Sequence, residues 1–140
     1  MKKTVCMVLC ACMLALPVGA LADEPVIETD AKSVLLMEQS TGNVLYEKNA
    51  DEQLPIASVT KIMTMLLIME ELDRGTITLD DMVSVSENAM SYGGSTMFLE
   101  AGEQLSINDM LKGIAVASAN DGCAAMAEHL AGSEAAFVER

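Results

Sequence analysis

The apolar residues in the first half of this 140-residue chain fall into four runs. Residues 5–16 are almost wholly apolar, residues 33–38 and 43–48 form short β-prone runs, and residues 56–72 are apolar with few interruptions. Ser40-Thr41-Gly42 separates the two short runs and consists of turn-forming residues. The two short runs therefore predict a β-hairpin.

The run at 56–72 has the length of a helix and no polar face. A helix that is apolar almost all round is typical of one buried inside a protein. Pro55 suits a helix start, because the N–H that proline lacks would have no partner there. We predict a deeply buried helix from about Ile56 to Leu72, ended by Asp73-Arg74-Gly75.

The second half of the chain predicts a short strand at 82–85 and then two helices separated by a polar break. The first helix opens at Ser106-Ile107-Asn108-Asp109, which resembles a capping box with Asp at its third helical position. The break is Ser118-Ala119-Asn120-Asp121, and Gly132 is placed to end the second helix. The apolar positions with helical spacing are Met110, Leu111, Ile114 and Ala117, then Cys123, Met126, Ala127 and Leu130.

Two strands followed by several helices predict an α+β fold with a helical lobe after the N-terminal hairpin. Because an isolated hairpin is marginally stable, the antiparallel sheet is expected to need further strands. Residues 135–140 still follow a helix-like pattern, which predicts that they belong to a longer protein. We therefore expect residues 23–140 to be the N-terminal part of one incomplete domain.

The N-terminal apolar run has the features of a secretory signal peptide. Lys2-Lys3 precedes it, and Ala20-Leu21-Ala22 gives the small-x-small pattern of a cleavage site. The run is shorter than the roughly 20 residues of a spanning helix, which disfavours a membrane anchor. A lipoprotein signal around Cys10 or Cys12 would leave a very short apolar region. We predict cleavage after residue 22 and export to the extracytoplasmic side.

The charge, the cysteines and the histidine argue against nucleic acid binding, an internal disulfide and a metal site. The formal net charge is −13, with 8 Lys and Arg against 21 Asp and Glu, which argues against binding to nucleic acid phosphates. Cleavage would leave only Cys123, so no internal disulfide is expected, and Cys123 should pack as a small hydrophobe. The single histidine, His129, has no neighbouring ligand residues, so no metal site is expected.

Ser58 and Lys61 lie at the start of the predicted helix, three residues apart and so on one face. An ammonium group is disfavoured beside the positive end of a helix dipole and next to an apolar run. A neutral lysine can take the proton of a serine hydroxyl and so activate it as a nucleophile. The alternative is that Ser58 caps the helix, but a capping box has Glu or Gln rather than Lys at the third position.

Ser118-Ala119-Asn120 occupies the break between the two later helices. Polar residues at such a junction are often caps, and Asn120 or Asp121 would serve in that role. The functional alternative is a second serine that relays a proton in the same cleft as Ser58, with Asn120 donating a hydrogen bond to substrate.

The four residues 58–61 and the three residues 118–120 together resemble two of the three signature motifs of the penicillin-recognising serine enzymes, S-x-x-K and S-D-N. Within that superfamily the chain is similar to the low-molecular-mass D-alanyl-D-alanine carboxypeptidases of the peptidase S11 type. Ala119, in the middle of the second motif, is more typical of these carboxypeptidases than of class A β-lactamases, which carry Asp there.

The resemblance extends over roughly residues 31–140, with supporting stretches at 54–61, 94–99, 101–103 and 118–121. It implies a β-lactamase/DD-peptidase-like α+β fold, no cofactor, and a location at the membrane exterior, in the cell wall or periplasm. The partners that it implies are a peptidoglycan stem peptide ending in D-Ala-D-Ala and β-lactam antibiotics.

The same resemblance implies a role for each motif residue. Ser58 would be the acyl-ester nucleophile, Lys61 the general base, Ser118 the proton relay and Asn120 a substrate-binding donor. The third motif, K-T-G, is absent from the 140 residues and is expected beyond Arg140, as is a segment for peripheral membrane association. The 140 residues alone are therefore expected to be inactive. A serine β-lactamase and a non-catalytic wall-binding or penicillin-sensing module remain as alternatives.

Overall fold

The computed structural model describes residues 27–140. The predicted signal peptide and its three cysteines, Cys6, Cys10 and Cys12, lie outside the described residues. The described chain forms two compact units, which we call the hairpin unit (residues 27–53) and the helical unit (residues 54–140). In residues 27–140, no helix combines the length and the apolar character needed to cross a membrane.

The hairpin unit confirms the predicted strand pair. Strand β1 (Val34–Met37) pairs in antiparallel register with β2 (Val44–Lys48), and a bulge interrupts the register between Leu36 and Met37. Gly42 adopts φ 73° in the connecting turn, where its N–H donates to the Glu38 carbonyl oxygen at 2.9 Å. Glycine suits this position because it has no Cβ to clash in the left-handed region.

The helical unit contains a 3₁₀ turn, two very short strands and five helices. Its elements are the 3₁₀ turn Ala57–Thr60, helix α1 (Lys61–Arg74), strand β3 (Met82–Ser84), helix α2 (Glu87–Met90), strand β4 (Gln104–Ser106), and helices α3 (Ile107–Ala117), α4 (Asn120–Ala131) and α5 (Glu134–Val138). Strands β3 and β4 pair in antiparallel fashion, so the described chain has an α+β architecture. The sequence did not predict β4 or α2, whereas α5 overlaps residues 135–140, whose pattern is helix-like.

The core of the helical unit lies where α1, β3, α3 and α4 meet. Its largest fully buried apolar side chains are Ile68, Val83, Ile107, Met110, Ile114 and Met126. The apolar positions predicted on α3 and α4 supply half of this set, namely Met110, Ile114 and Met126, which confirms their helical spacing. Gly75 and Gly132, both with positive φ, are the C-terminal caps of α1 and α4, as predicted.

Helix α1 differs from its prediction in both its start and its burial. It begins at Lys61 rather than near Ile56, because residues 57–60 form the tighter 3₁₀ turn. The prediction of deep burial is wrong for the described chain: Ile62 is 63% exposed and Met63 is 57% exposed. The reason is that α1 packs on α3 and α4 along one side, and no described element of the helical unit covers its other side.

Glu71, a buried acid at the C-terminal end of α1, is paired with two arginines and a threonine hydroxyl. Arg74 Nη1 donates to its carboxylate at 2.8 Å, and Arg140 Nη2 also pairs with it. The hydrogen bond from the Thr76 hydroxyl has the largest effect on the pKa of Glu71 and lowers it below its ordinary value. The hydrogen bond and the charge of Arg140 lower it further. This cluster connects the end of α1 to the residues after α5.

The predicted capping box opens α3. Ser106 Oγ accepts a hydrogen bond from the Asp109 N–H at 3.1 Å and donates to the Asp109 carboxylate at 2.9 Å. Because Ser106→Ala removes this cap, we expect the free energy of unfolding to fall by about 1 kcal/mol. Urea unfolding of the protein encoded by the complete reading frame measures the change.

Ser84→Ala is the matched control for this variant, since it removes an exposed serine hydroxyl that caps no helix and accepts only an exposed hydrogen bond from Gln104 Nε2. Its effect should stay within about 0.5 kcal/mol. Equal unfolding midpoints for Ser106→Ala and Ser84→Ala would contradict the assigned cap.

Candidate active site

Ser58 and Lys61 lie at the junction of the 3₁₀ turn and α1. Lys61 Nζ donates a hydrogen bond to Ser58 Oγ at 3.2 Å. The 3₁₀ turn brings them together because residues i and i+3 eclipse each other when there are three residues per turn. The serine–lysine contact predicted from the spacing is therefore present, but a 3₁₀ turn forms it instead of the expected turn of α-helix.

Ser58 is not a helix cap in this structure. Ile56 is the N-cap residue of the 3₁₀ turn and Thr60 that of α1, and neither makes a side-chain capping bond. The side chain of Ser58 is exposed, whereas Lys61 is half-buried. Ala57, directly before the serine, has φ 47°, a left-handed conformation that is strained for a residue with a Cβ. Such strain is concentrated at functional sites.

The second polar segment separates α3 from α4. Ser118 ends α3 with φ 55° and ψ 41°, and Ala119, fully buried, is the N-cap of α4. Asn120 does not cap the helix with its side chain; its Nδ2 donates to the Gly93 carbonyl oxygen at 2.8 Å. Its N–H donates to the Ser95 carbonyl oxygen, also at 2.8 Å. The break thus joins α4 to the loop at residues 93–95.

A pocket of about 520 Å³ lies between the 3₁₀ turn, α1, α4 and α5. Ser58, Lys61 and Asn120 all line it, so the structure brings three of the four predicted site residues to one cavity. Ser118 is not in its lining. The Ser118 Oγ is buried and has no hydrogen-bond partner among the described residues. A buried hydroxyl without a partner is uncommon in folded proteins and invites an explanation.

Cys123 also lines this pocket, one turn along α4 from Asn120. The thiol is half-buried, and burial raises its pKa above the ordinary value. A raised pKa keeps the thiol neutral and poorly nucleophilic at neutral pH. Cys123 therefore packs as a small neutral side chain, in line with its prediction.

Two further pocket residues, Tyr92 and Glu134, were not assigned from the sequence. The Tyr92 hydroxyl donates to the Glu134 carboxylate at 2.5 Å, and this bond raises the pKa of Tyr92. Asn88 Nδ2 donates a hydrogen bond to the other Glu134 carboxylate oxygen at 2.6 Å. The pocket thus has the Lys61 amine on one wall and the Glu134 carboxylate on another. Because 42 positions separate Tyr92 from Glu134, no local pattern could have linked them.

The arrangement can support acyl transfer. An exposed hydroxyl lies within hydrogen-bond reach of an amine, which is the geometry of a nucleophile and its base. Asn120 offers an amide beside them. Among residues 27–140, no group of three or more His, Cys, Asp or Glu side chains could hold a metal ion.

The sequence model of the peptidase S11 family, described as D-alanyl-D-alanine carboxypeptidase, matches residues 19–140. The chain belongs to this family. As an S11 peptidase chain, it is 58% identical over 111 residues to the D-alanyl-D-alanine carboxypeptidase DacF of Bacillus subtilis. That match covers 79% of this chain and 28% of DacF, so the S11 chain spans less than a third of its relative's length.

Solved structures of other proteins have the same fold as this S11 chain. The D-alanyl-D-alanine carboxypeptidase DacD of Francisella tularensis matches with a TM-score of 0.78 and 40% identity, over 81% of this chain and 27% of that one. Penicillin binding protein 6B of Escherichia coli matches with a TM-score of 0.76 and 38% identity, over 81% and 38% of the two chains. The predicted DD-peptidase-like α+β fold is therefore confirmed.

Proposed function

We propose that the protein containing this chain is a serine D-Ala-D-Ala carboxypeptidase of the cell wall. The observation that carries the proposal is the 3.2 Å contact between Ser58 Oγ and Lys61 Nζ in a pocket shared with Asn120. Membership of the S11 family and identity to DacF support it. The substrate is a peptidoglycan stem peptide that ends in D-Ala-D-Ala.

Ser58 Oγ attacks the carbonyl carbon of the penultimate D-Ala, and its proton passes to the neutral amine of Lys61. The tetrahedral intermediate collapses when the C–N bond breaks, and terminal D-Ala leaves after its nitrogen gains a proton. Water then hydrolyses the acyl ester and frees Ser58. This sequence needs no cofactor.

Two motif residues support this reaction. Ser118 relays the proton to the leaving nitrogen. Its buried hydroxyl has no hydrogen-bond partner among residues 27–140, which supports this assignment because both its donor and its acceptor positions are available. Asn120 Nδ2 donates to the substrate amide. The Ser58 N–H forms half of the oxyanion hole, since backbone N–H groups stabilise the charge that develops on the carbonyl oxygen.

A β-lactam would acylate the same serine as a substrate mimic, and the name of the Escherichia coli relative, penicillin binding protein 6B, supports this expectation. The apolar run and cleavage pattern at residues 5–22 support export to the cell wall or periplasm. A K-T-G motif and a membrane-associating segment are expected in the complete reading frame, beyond residue 140.

The test is to incubate the protein from the complete reading frame with labelled penicillin and to map the adduct by mass spectrometry. We expect a long-lived adduct on the peptide containing Ser58, together with release of D-Ala from a stem pentapeptide. Rapid hydrolysis of the drug would indicate a β-lactamase instead. A stable protein that neither forms an adduct nor releases D-Ala would support the non-catalytic alternative.

A further inference from the structure

Asp121 is the most deeply buried ionisable residue of the helical unit, at 1% exposure. Among the described residues it forms no ion pair. Its carboxylate instead accepts hydrogen bonds from backbone N–H groups: from Met97 at 3.1 Å and from Leu99 at 3.1 Å. The N–H of Gly122 also donates to it, at 2.9 Å. A buried charge is tolerated only when it is satisfied in this way.

The two long-range donors lie on either side of Phe98. Phe98 has φ 60°, and its side chain is 88% exposed. A bulky residue in the left-handed region is strained and persists only when its surroundings hold it there. Because both neighbouring N–H groups point at one carboxylate, Asp121 supplies that restraint. The loop at residues 93–99 is thus bound to the first turn of α4.

The same loop holds the side chain of Asn120. Asn120 bonds to Gly93 through Nδ2 and to Ser95 through its N–H, each at 2.8 Å. Asp121 binds the C-terminal part of the loop, at Met97 and Leu99, while Asn120 binds its N-terminal part. The position of the Asn120 amide in the pocket therefore depends on a loop whose other end is fixed by Asp121.

The packing of Met97 strengthens this connection. A Cβ on Gly122 would lie 3.3 Å from Met97 Sδ, and a Cβ on Gly113 would overlap the same sulfur. The Met97 side chain therefore fills space that two glycines leave open on α3 and α4. This packing holds the Met97 part of the loop close to both helices.

We propose that Asp121 is a positioning residue: its carboxylate fixes the loop at residues 93–99 and thereby sets the Asn120 amide in the pocket. Asp121 touches no reacting atom, and it acts through the loop. The kinetic consequence rests on the proposed function, because Asn120 is the substrate donor only if the pocket performs acyl transfer. The structural consequence does not depend on that reaction.

The test variant is Asp121→Asn in the protein from the complete reading frame. Asparagine has the same shape but keeps only one acceptor oxygen, so it cannot hold the Met97 and Leu99 N–H groups on two oxygens as the carboxylate does. Asp73→Asn is the matched control, because Asp73 is an exposed acid on α1. Both variants are first checked for native circular dichroism and cooperative unfolding.

The first readout is hydrogen exchange. In Asp121→Asn we expect faster exchange of the Met97 and Leu99 amides and of the Asn120 side-chain amide, with unchanged exchange in the core of α3. Wild-type protection at these groups in a folded Asp121→Asn protein would overturn the proposal. This readout decides the positioning role even if the protein forms no penicillin adduct, an outcome that would refute the proposed function alone.

The second readout is the rate constant for acylation by labelled penicillin, measured well below the unfolding temperature. We expect it to fall about 10- to 100-fold in Asp121→Asn and to stay unchanged in Asp73→Asn. If Asp121 acts through Asn120, then Asp121→Asn should add little to the loss caused by Asn120→Ala. A lower melting temperature with an unchanged acylation rate, or fully multiplicative losses in the double variant, would overturn the proposal.

Discussion

Replacing Ser58 by alanine is expected to abolish the penicillin adduct and to lower D-Ala release by at least about 10³-fold. The reason is that the covalent route requires the Ser58 oxygen, and among the described residues no other hydroxyl in the pocket forms a hydrogen bond with Lys61 Nζ. Ser58 is exposed, so its loss should leave the stability of the fold nearly unchanged. The measurement is D-Ala release from a stem pentapeptide, with adduct mapping in parallel.

Ser84→Ala serves as the control for this experiment, since it removes a serine hydroxyl from strand β3, outside the pocket. It should keep wild-type release of D-Ala and the same adduct. If Ser58→Ala released D-Ala at the wild-type rate, the assignment of the nucleophile and of the whole site would be wrong.

Replacing Lys61 by arginine is expected to slow acylation by about 10²- to 10⁴-fold. Arginine keeps a long nitrogen-bearing side chain at the start of α1, but its guanidinium remains protonated and cannot accept the Ser58 proton. The variant therefore separates a base from a fixed cation. Stopped-flow or quenched labelling with a penicillin gives the rate, and urea unfolding confirms that the fold is intact.

Lys112→Arg is the matched control, because Lys112 is an exposed lysine of α3 that pairs with Asp109 at 3.0 Å. The same substitution there should leave acylation unchanged. A Lys61→Arg protein that acylates as fast as wild type would show that Lys61 acts only as a charge, and the proton would need another acceptor.

The sequence predicted those parts of the fold that short-range interactions control. Ser40-Thr41-Gly42 indicated the hairpin turn, Ser106 indicated the start of α3, and Gly75 and Gly132 indicated two helix ends. In each case the signal and its effect lie within a few residues, because caps and turns satisfy the backbone of their own neighbourhood. The structure has all four features.

The elements that the sequence missed depend on contacts between distant positions. Strand β4 is three residues long and exists because it pairs with β3, whose matched residues lie 20 to 24 positions earlier in the chain. Helix α1 has the pattern of a buried helix, yet the described helical unit covers one side of it. The burial of a helix depends on which other elements pack against it. The sequence of the helix shows only which of its side chains are apolar enough to be buried.

The candidate site also combines features set by neighbouring residues with features set by contacts between distant positions. The residue types and spacing of Ser58, Lys61 and Asn120 were visible in the sequence. The three-residue interval sufficed to bring serine and lysine together, because one helical turn spans it. The three-dimensional fold was needed to establish that Asn120 lines the same pocket, that Tyr92 and Glu134 form another wall, and that Asp121 holds the loop at residues 93–99. The residues involved lie 22 to 62 positions apart in the chain, and tertiary interactions rather than local backbone preference bring such residues together.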